Sequence, residues 1–202
     1  MHENSRTSLK VRNTGFKLKV RIVNIPAEMF IDAVYFLNKA KKLEAKQANC
    51  VLVGRYCRAS ILLSFFSLEA YMNSFIAGYR SKIGVEGLAD RVIKSKMSFE
   101  EKFDLIIPLI TKKLTSKKEN EKVWKDFKHV GYIRNRLAHY RGDIGIYDPN
   151  NEKGVNIKNA ERAIEMVKQM ITYLNDLANS KVPPWINHPN AYFKEILTQS
   201  NL

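Results

Sequence analysis

The apolar spacing of residues 157–178 constrains this chain's architecture more than any other feature. Ile157, Ala160, Ile164, Val167, Ile171, Leu174 and Ala178 recur at intervals of three and four, the seam expected where antiparallel helices of a bundle meet. Met166, Met170, Tyr173 and Leu177 add a second apolar stripe on roughly the opposite side. A helix apolar on two sides is either central in its bundle or lies at a subunit interface, and the central place is favoured here. Pro183-Pro184 stops any continuation.

The rest of the chain reads the same way. From Pro26 the stripe Phe30, Val34, Leu37 predicts a helix that fades near Lys42, and a longer one is expected from Val51 to Tyr79, ending before Gly84. A short helix fits Val85–Ile93. Ser98-Phe99-Glu100-Glu101 is a capping-box signature, and the helix it opens should kink or end near Pro108. Another helix spans Lys118–Ala138, followed by a turn-rich connection with Gly142, Gly145, Asp148-Pro149-Asn150-Asn151 and Gly154. The fold class is therefore all-α, a bundle of about five to six helices. Residues 1–25 form an N-terminal arm, where Phe16–Ile22 alternates apolar and basic residues as a short strand or extended segment would. Residues 26–180 form the bundle, and 181–202 a tail packing on the bundle or on a partner.

With 202 residues and 45% hydrophobic content, the composition fits one well-buried core and no disordered class. No secretory pattern is visible, and the greasiest run, Ile61–Phe66, is interrupted by Ser64, Ser67 and Glu69, so no membrane span is expected. Cys50 and Cys57 would stand two turns apart on one helix, about 10 Å along its axis, too far for a mutual disulfide. These features point to a reduced, cytoplasmic protein. A formal charge of +14 suggests a polyanionic partner, RNA foremost. Lysine-rich solvated faces, such as Lys39, Lys41, Lys42 and Lys112, Lys113, Lys117, Lys118, account for the same charge without one.

Chemistry concentrates in Arg134-Asn135-Arg136-Leu137-Ala138-His139. Arginine holds phosphate through a planar fork of donors, and histidine moves a proton near neutral pH. In helical projection Val123, Phe127, Val130 and Leu137 share a face, Arg134 falls within it, and His139 lies about 140° away. Either the helix ends near Ala138 and His139 turns back, or two copies of the motif face each other across a dimer. On the Val51–Tyr79 helix, Glu69 interrupts the stripe Leu62, Phe65, Met72, Ile76, Tyr79 in the same manner. A carboxylate there needs a partner, and Arg134 is expected to be it, with Asn73 one turn on offering a further hydrogen bond. Arg55, Arg58 and Arg80 compete for the same carboxylate. A plain ion pair that fixes helix register is the structural alternative.

The segment Arg-Asn-x-x-x-His, late in an all-helical chain, resembles the signature of the HEPN superfamily (higher eukaryotes and prokaryotes nucleotide-binding domains), over about Pro26–Ser180. The resemblance implies a metal-independent endoribonuclease with a composite active site at a homodimer interface. It works through 2′-hydroxyl attack, without cofactor or metal, in a toxin–antitoxin, stress or phage-defence setting with a possible cognate antitoxin protein. Arg134 would bind the scissile phosphate, His139 act as general base or acid, and Asn135 orient the imidazole or contact the phosphate. Glu69, Asn73 and Tyr140 would support, and Arg136 and Arg141 would contact backbone phosphates. Some members carry a tyrosine one position later than Tyr140, where this chain has Arg141. The alternatives are a non-catalytic HEPN module that binds RNA, a nucleotide or a partner protein, and a purely structural interaction bundle.

Other constellations carry less. His129 has no carboxylate at metal-ligand spacing, His2 and His188 fall in terminal segments, and neither a cysteine–histidine protease pattern nor a Gly-rich phosphate loop is present. Trp124 and Trp185 are expected to pack rather than stack on bases.

Overall fold

A computed structural model describes residues 24–47, 49–79, 97–115, 121–139, 147–189 and 191–192. They form an all-α bundle whose β pairing, among the described residues, is one isolated bridge between Tyr147 and Val155. The expected arm strand, the 85–93 helix, Lys117, Lys118, Gly142 and Gly145 lie outside the described residues.

Helix α1 runs Ile25–Ala45 and α2 runs Cys50–Gly78. Asn24 caps α1 by accepting from the Ala27 N–H at 3.2 Å, and Pro26 occupies the first turn, where its missing N–H costs nothing. The short connection makes the two helices antiparallel neighbours. The Ser67 hydroxyl donates to the Pro26 carbonyl at 2.7 Å, and Phe36 stacks on Tyr56 nearer the turn. Ala27, Ala33 and Ala40 of α1 and Gly54, Ser60, Ser64 and Ser67 of α2 are buried, small residues that let the two helices approach closely. By length and composition alone α2 is able to cross a membrane. In the fold it packs against α1 and two further helices, as the core helix of a bundle does.

Helix α3 is composite: α-helical over Phe99–Glu101, π-helical over Lys102–Ile106, and α-helical again over Ile107–Thr111. Its capping box is complete. The Ser98 hydroxyl accepts from the Glu101 N–H at 3.2 Å, and the Glu101 carboxylate accepts from the Ser98 N–H at 2.6 Å. Those bonds to the ionised form hold the Glu101 carboxyl below its ordinary pKa. The disturbance expected at Pro108 is this π segment. A proline ring crowds the carbonyl four residues back and offers no N–H, and the wider π spacing just before it absorbs the conflict.

Helix α4 spans Glu121–Ala138, α5 Ile157–Leu177 and the short α6 Pro184–Asn187. Both stripes of α5 are used: Ile164, Val167, Ile171 and Leu174 are buried, and so are Met166 and Met170, against α1, α2 and α4. The central position therefore holds. Its N-terminus is held by a closed polar network. Asn156 caps the helix by accepting from the Asn159 N–H at 2.8 Å. The Asn159 amide donates to the Glu152 and Gly154 carbonyls, each at 2.9 Å, and its Oδ1 lies 3.0 Å from His129 Nε2 on α4. Trp185 of α6 is buried, its ring 5.6 Å from Phe30 and 6.1 Å from Tyr71, so this part of the tail packs on the bundle.

An aromatic cluster joins α2, α3, α4 and α5 under the motif. Phe103 meets Trp124 edge-on at 4.6 Å, Phe99 lies 4.9 Å from Phe127, Phe65 stacks on Phe127 at 5.5 Å, and Tyr173 stacks on Phe103 at 5.8 Å. Trp124 and Trp185 both pack, as their apolar bulk demands.

Candidate active site

The inward face of α4 consists of Trp124, Phe127, Val130 and Ile133, all buried. Arg134 stands at the edge of that face, and Glu69 of α2 meets it, Nη2 donating to Oε2 at 3.3 Å. The contact anticipated from two interrupted stripes is thus made. Its setting is less enclosed than the projection implied, with 23% of the Arg134 side chain and 39% of the Glu69 side chain exposed. A pair this wet contributes about 1 kcal/mol or less to stability. The guanidinium carbon lies 5.1 Å from the Phe65 ring centroid and 5.3 Å from that of Phe66, so aromatic faces, more than the carboxylate, seat the cation. Nη1 donates to Asn135 Oδ1 at 2.9 Å, and Nε is buried without a hydrogen-bond partner.

Asn73 does not reach Arg134 as expected. Its Oδ1 accepts from Lys102 Nζ at 2.9 Å. Lys102 is buried, and that desolvation pulls its pKa below the ordinary lysine value, partly opposed by the nearby Glu69 charge. Glu69 therefore lies in the field of two cations, one on α4 and one at the start of the π segment of α3.

Beside Arg134 lies an open cleft of about 410 Å³. Phe65 and Glu69 of α2 form one wall, and Ser98, Phe99 and Glu100 a second. Phe127, Lys128, Gly131, Tyr132, Arg134 and Asn135 of α4 form the third. Sequence reasoning did not single out Lys128, Gly131, Tyr132 or Lys102. For the first three a signal was available: Lys128, Tyr132, Asn135 and His139 share one flank of α4, within about 60° in projection.

His139 follows the end of α4, its N–H donating to the Asn135 carbonyl at 3.1 Å. The helix ends where one of the two anticipated geometries requires. The imidazole is nevertheless exposed, with no partner among the described residues, and is not part of the cleft wall. Asn135 spends its Oδ1 on Arg134 rather than on the imidazole. Arg136 donates through Nη1 to the Tyr132 hydroxyl at 2.7 Å and lies over the Tyr132 ring. Tyr140 and Arg141 fall outside the described residues.

Among the described residues no cluster of histidine, cysteine and carboxylate side chains is arranged to hold a metal. His129 is engaged by Asn159, and Cys50 and Cys57 are both free thiols. No family model matches the chain, and no curated protein or solved structure matches it either.

Proposed function

We propose that this protein is a metal-independent endoribonuclease of the HEPN type, cleaving RNA by attack of the 2′-hydroxyl on the adjacent phosphorus. The observation that carries the reading is the state of Arg134. A guanidinium has five N–H donors, and two of Arg134's are committed, one to Asn135 and one to Glu69. The group sits at an open cleft in a chain of net charge +14, where an RNA phosphate is the natural acceptor for the remaining donors.

The chemistry needs two proton transfers and one charge-stabilising group. A base removes the 2′-hydroxyl proton as the 2′-oxygen bonds to phosphorus. An acid protonates the 5′-oxygen as the P–O5′ bond breaks, leaving a 2′,3′-cyclic phosphate and a 5′-hydroxyl. His139 takes one proton role, an effect worth about 10²–10⁴-fold, and Arg134 holds the phosphorane charge. His139 has no contact with Arg134 in one chain, so the second proton role, and the meeting of both groups, falls to a second copy across a two-fold axis. The setting that goes with this reading is cytoplasmic toxin–antitoxin, stress or defence control, with an antitoxin protein as possible partner.

The test is cleavage of a mixed structured RNA by purified protein in excess EDTA. Wild type should cut and leave cyclic-phosphate ends. His139→Ala and Arg134→Ala should lose at least about 100-fold. Equal cutting by His139→Ala, or cutting only with added divalent metal, overturns the mechanism. RNA binding without cutting leaves the non-catalytic binding module as the reading.

A further inference from the structure

We infer that the cleft beside Arg134 seats one unpaired nucleobase, with Tyr132 as its stacking platform and Lys128 on the neighbouring phosphate. This rests on RNA being the ligand, and names the substrate as single-stranded at the site. The cleft volume of about 410 Å³ lies in the range of pockets that hold small organic groups. Its polar groups are few and its floor is aromatic, from Phe65, Phe99 and Phe127.

Tyr132 is a large aromatic side chain left 43% exposed at the cleft wall. Its hydroxyl is tied by Arg136, whose guanidinium lies over the ring. A ring fixed in this way loses little freedom when a base stacks on it, and stacking accepts any base because each has a π face. The neighbours set the direction of the strand. Lys128 and Arg134 share the α4 wall with Tyr132, whereas Glu100 on the opposing wall repels phosphate. His139 continues the same flank of α4 one turn beyond Asn135, which brings the backbone following the seated base toward the imidazole.

Gly131 is the independent observation. It sits inside α4, where glycine is worth about 1 kcal/mol less than alanine to helix stability. A Cβ placed there would meet Phe65 at 3.4 Å, an ordinary contact, so packing does not demand glycine. What the missing methyl provides is width in the cleft it lines.

The experiment measures binding of a 2′-O-methyl oligonucleotide of about eight residues, which cannot be cut, against the same sequence as a duplex, by fluorescence anisotropy over a salt series. Wild type should bind the single strand at least tenfold tighter than the duplex. Tyr132→Ala should lose about tenfold for the single strand with an unchanged salt slope, whereas Tyr132→Phe should stay within about twofold, because the ring remains. Lys128→Ala should lower the salt slope by about one. Thermal melts establish that each variant folds, and Gly131→Ala, which should fold better and bind less, is the second probe. Equal binding of both strands, no binding of either, or full binding by Tyr132→Ala overturns the seat. If wild type cuts RNA while Tyr132→Ala cuts and binds normally, the seat falls and the ribonuclease stands. If binding depends on Tyr132 but nothing is ever cut, the seat stands and the ribonuclease falls.

Discussion

His129 and His139 belong to one stretch of chain and have opposite fates. His129 faces Asn159, inside a network in which a buried amide satisfies two loop carbonyls and a helix cap. His139, just past the end of α4, is exposed and has no partner among the described residues. The same contrast holds for the polar clusters around them. The Asn156–Asn159 cluster has its groups committed within the fold, as buried polar groups generally do. The Arg134 cluster leaves a buried Nε unpaired and further donors uncommitted beside an open cleft. One arrangement holds the fold together. The other is under-satisfied by the fold alone, which is where reactivity toward an outside ligand is found.

The largest effect that sharpens this contrast is on turnover. His139→Ala should remove at least about 100-fold of RNA cleavage while leaving the melting temperature within about 1 °C, since an exposed side chain contributes little to stability. Asn159→Ala should do the reverse. Stranding the Glu152 and Gly154 carbonyls costs about 3 kcal/mol, a fall in melting temperature of about 6–12 °C, with cleavage per folded molecule retained. Comparable melting losses in the two variants would dissolve the distinction.

Gly131→Ala tests the two demands at one position. It should stabilise the protein by up to about 1 kcal/mol, seen as a higher melting temperature, while weakening single-strand binding. Glu69→Gln is expected to move stability by less than about 1 kcal/mol, because the pair is partly solvated. A loss of several kcal/mol by thermal melt would instead make it the register-fixing ion pair of the structural alternative. The smallest effect concerns Cys57, whose thiol burial pushes up to about 12, the Glu44 charge adding to the rise and Arg58 opposing it. Thiolate is the reacting species, so at pH 8 iodoacetamide should label exposed Cys50 and spare Cys57 until denaturant is added, as mass spectrometry would read. For stability the sign follows from the raised value. The unfolded chain releases this proton near the ordinary thiol pKa and the folded chain later, so the contribution is complete below about pH 8.5 and declines as pH rises toward 12.

Much of this was legible in the sequence wherever the determinant is local. The Asn24-Ile25-Pro26 start, the Ser98–Glu101 box and the two stripes of α5 depend on neighbours within a turn or two. The meeting of Glu69 with Arg134 was legible for a different reason: each is a charge in an apolar stripe, and each needs the other. What stayed hidden depends on how α3 sits against α2 and α4. Asn73 pairs with Lys102 rather than Arg134 because the π segment sets the direction of Lys102, and periodicity at 3.6 residues per turn does not foresee a π turn. The wall of Ser98, Phe99 and Glu100, and hence the cleft itself, escaped for the same reason.

That π segment also counts residues. A π turn carries one residue more than the α-helix it interrupts, so Lys102–Ile106 acts as a one-residue insertion stored in place. Deleting a single residue there would restore an even helix and rotate everything after it by about 100°. Ile107 and Ile110, now buried, would be carried round toward solvent, and exposed Leu105 and Leu109 would change places with them or lose their phase. The reading frame of the third helix is thus fixed by an irregularity, and its tolerance to insertion and deletion differs on the two sides of Lys102.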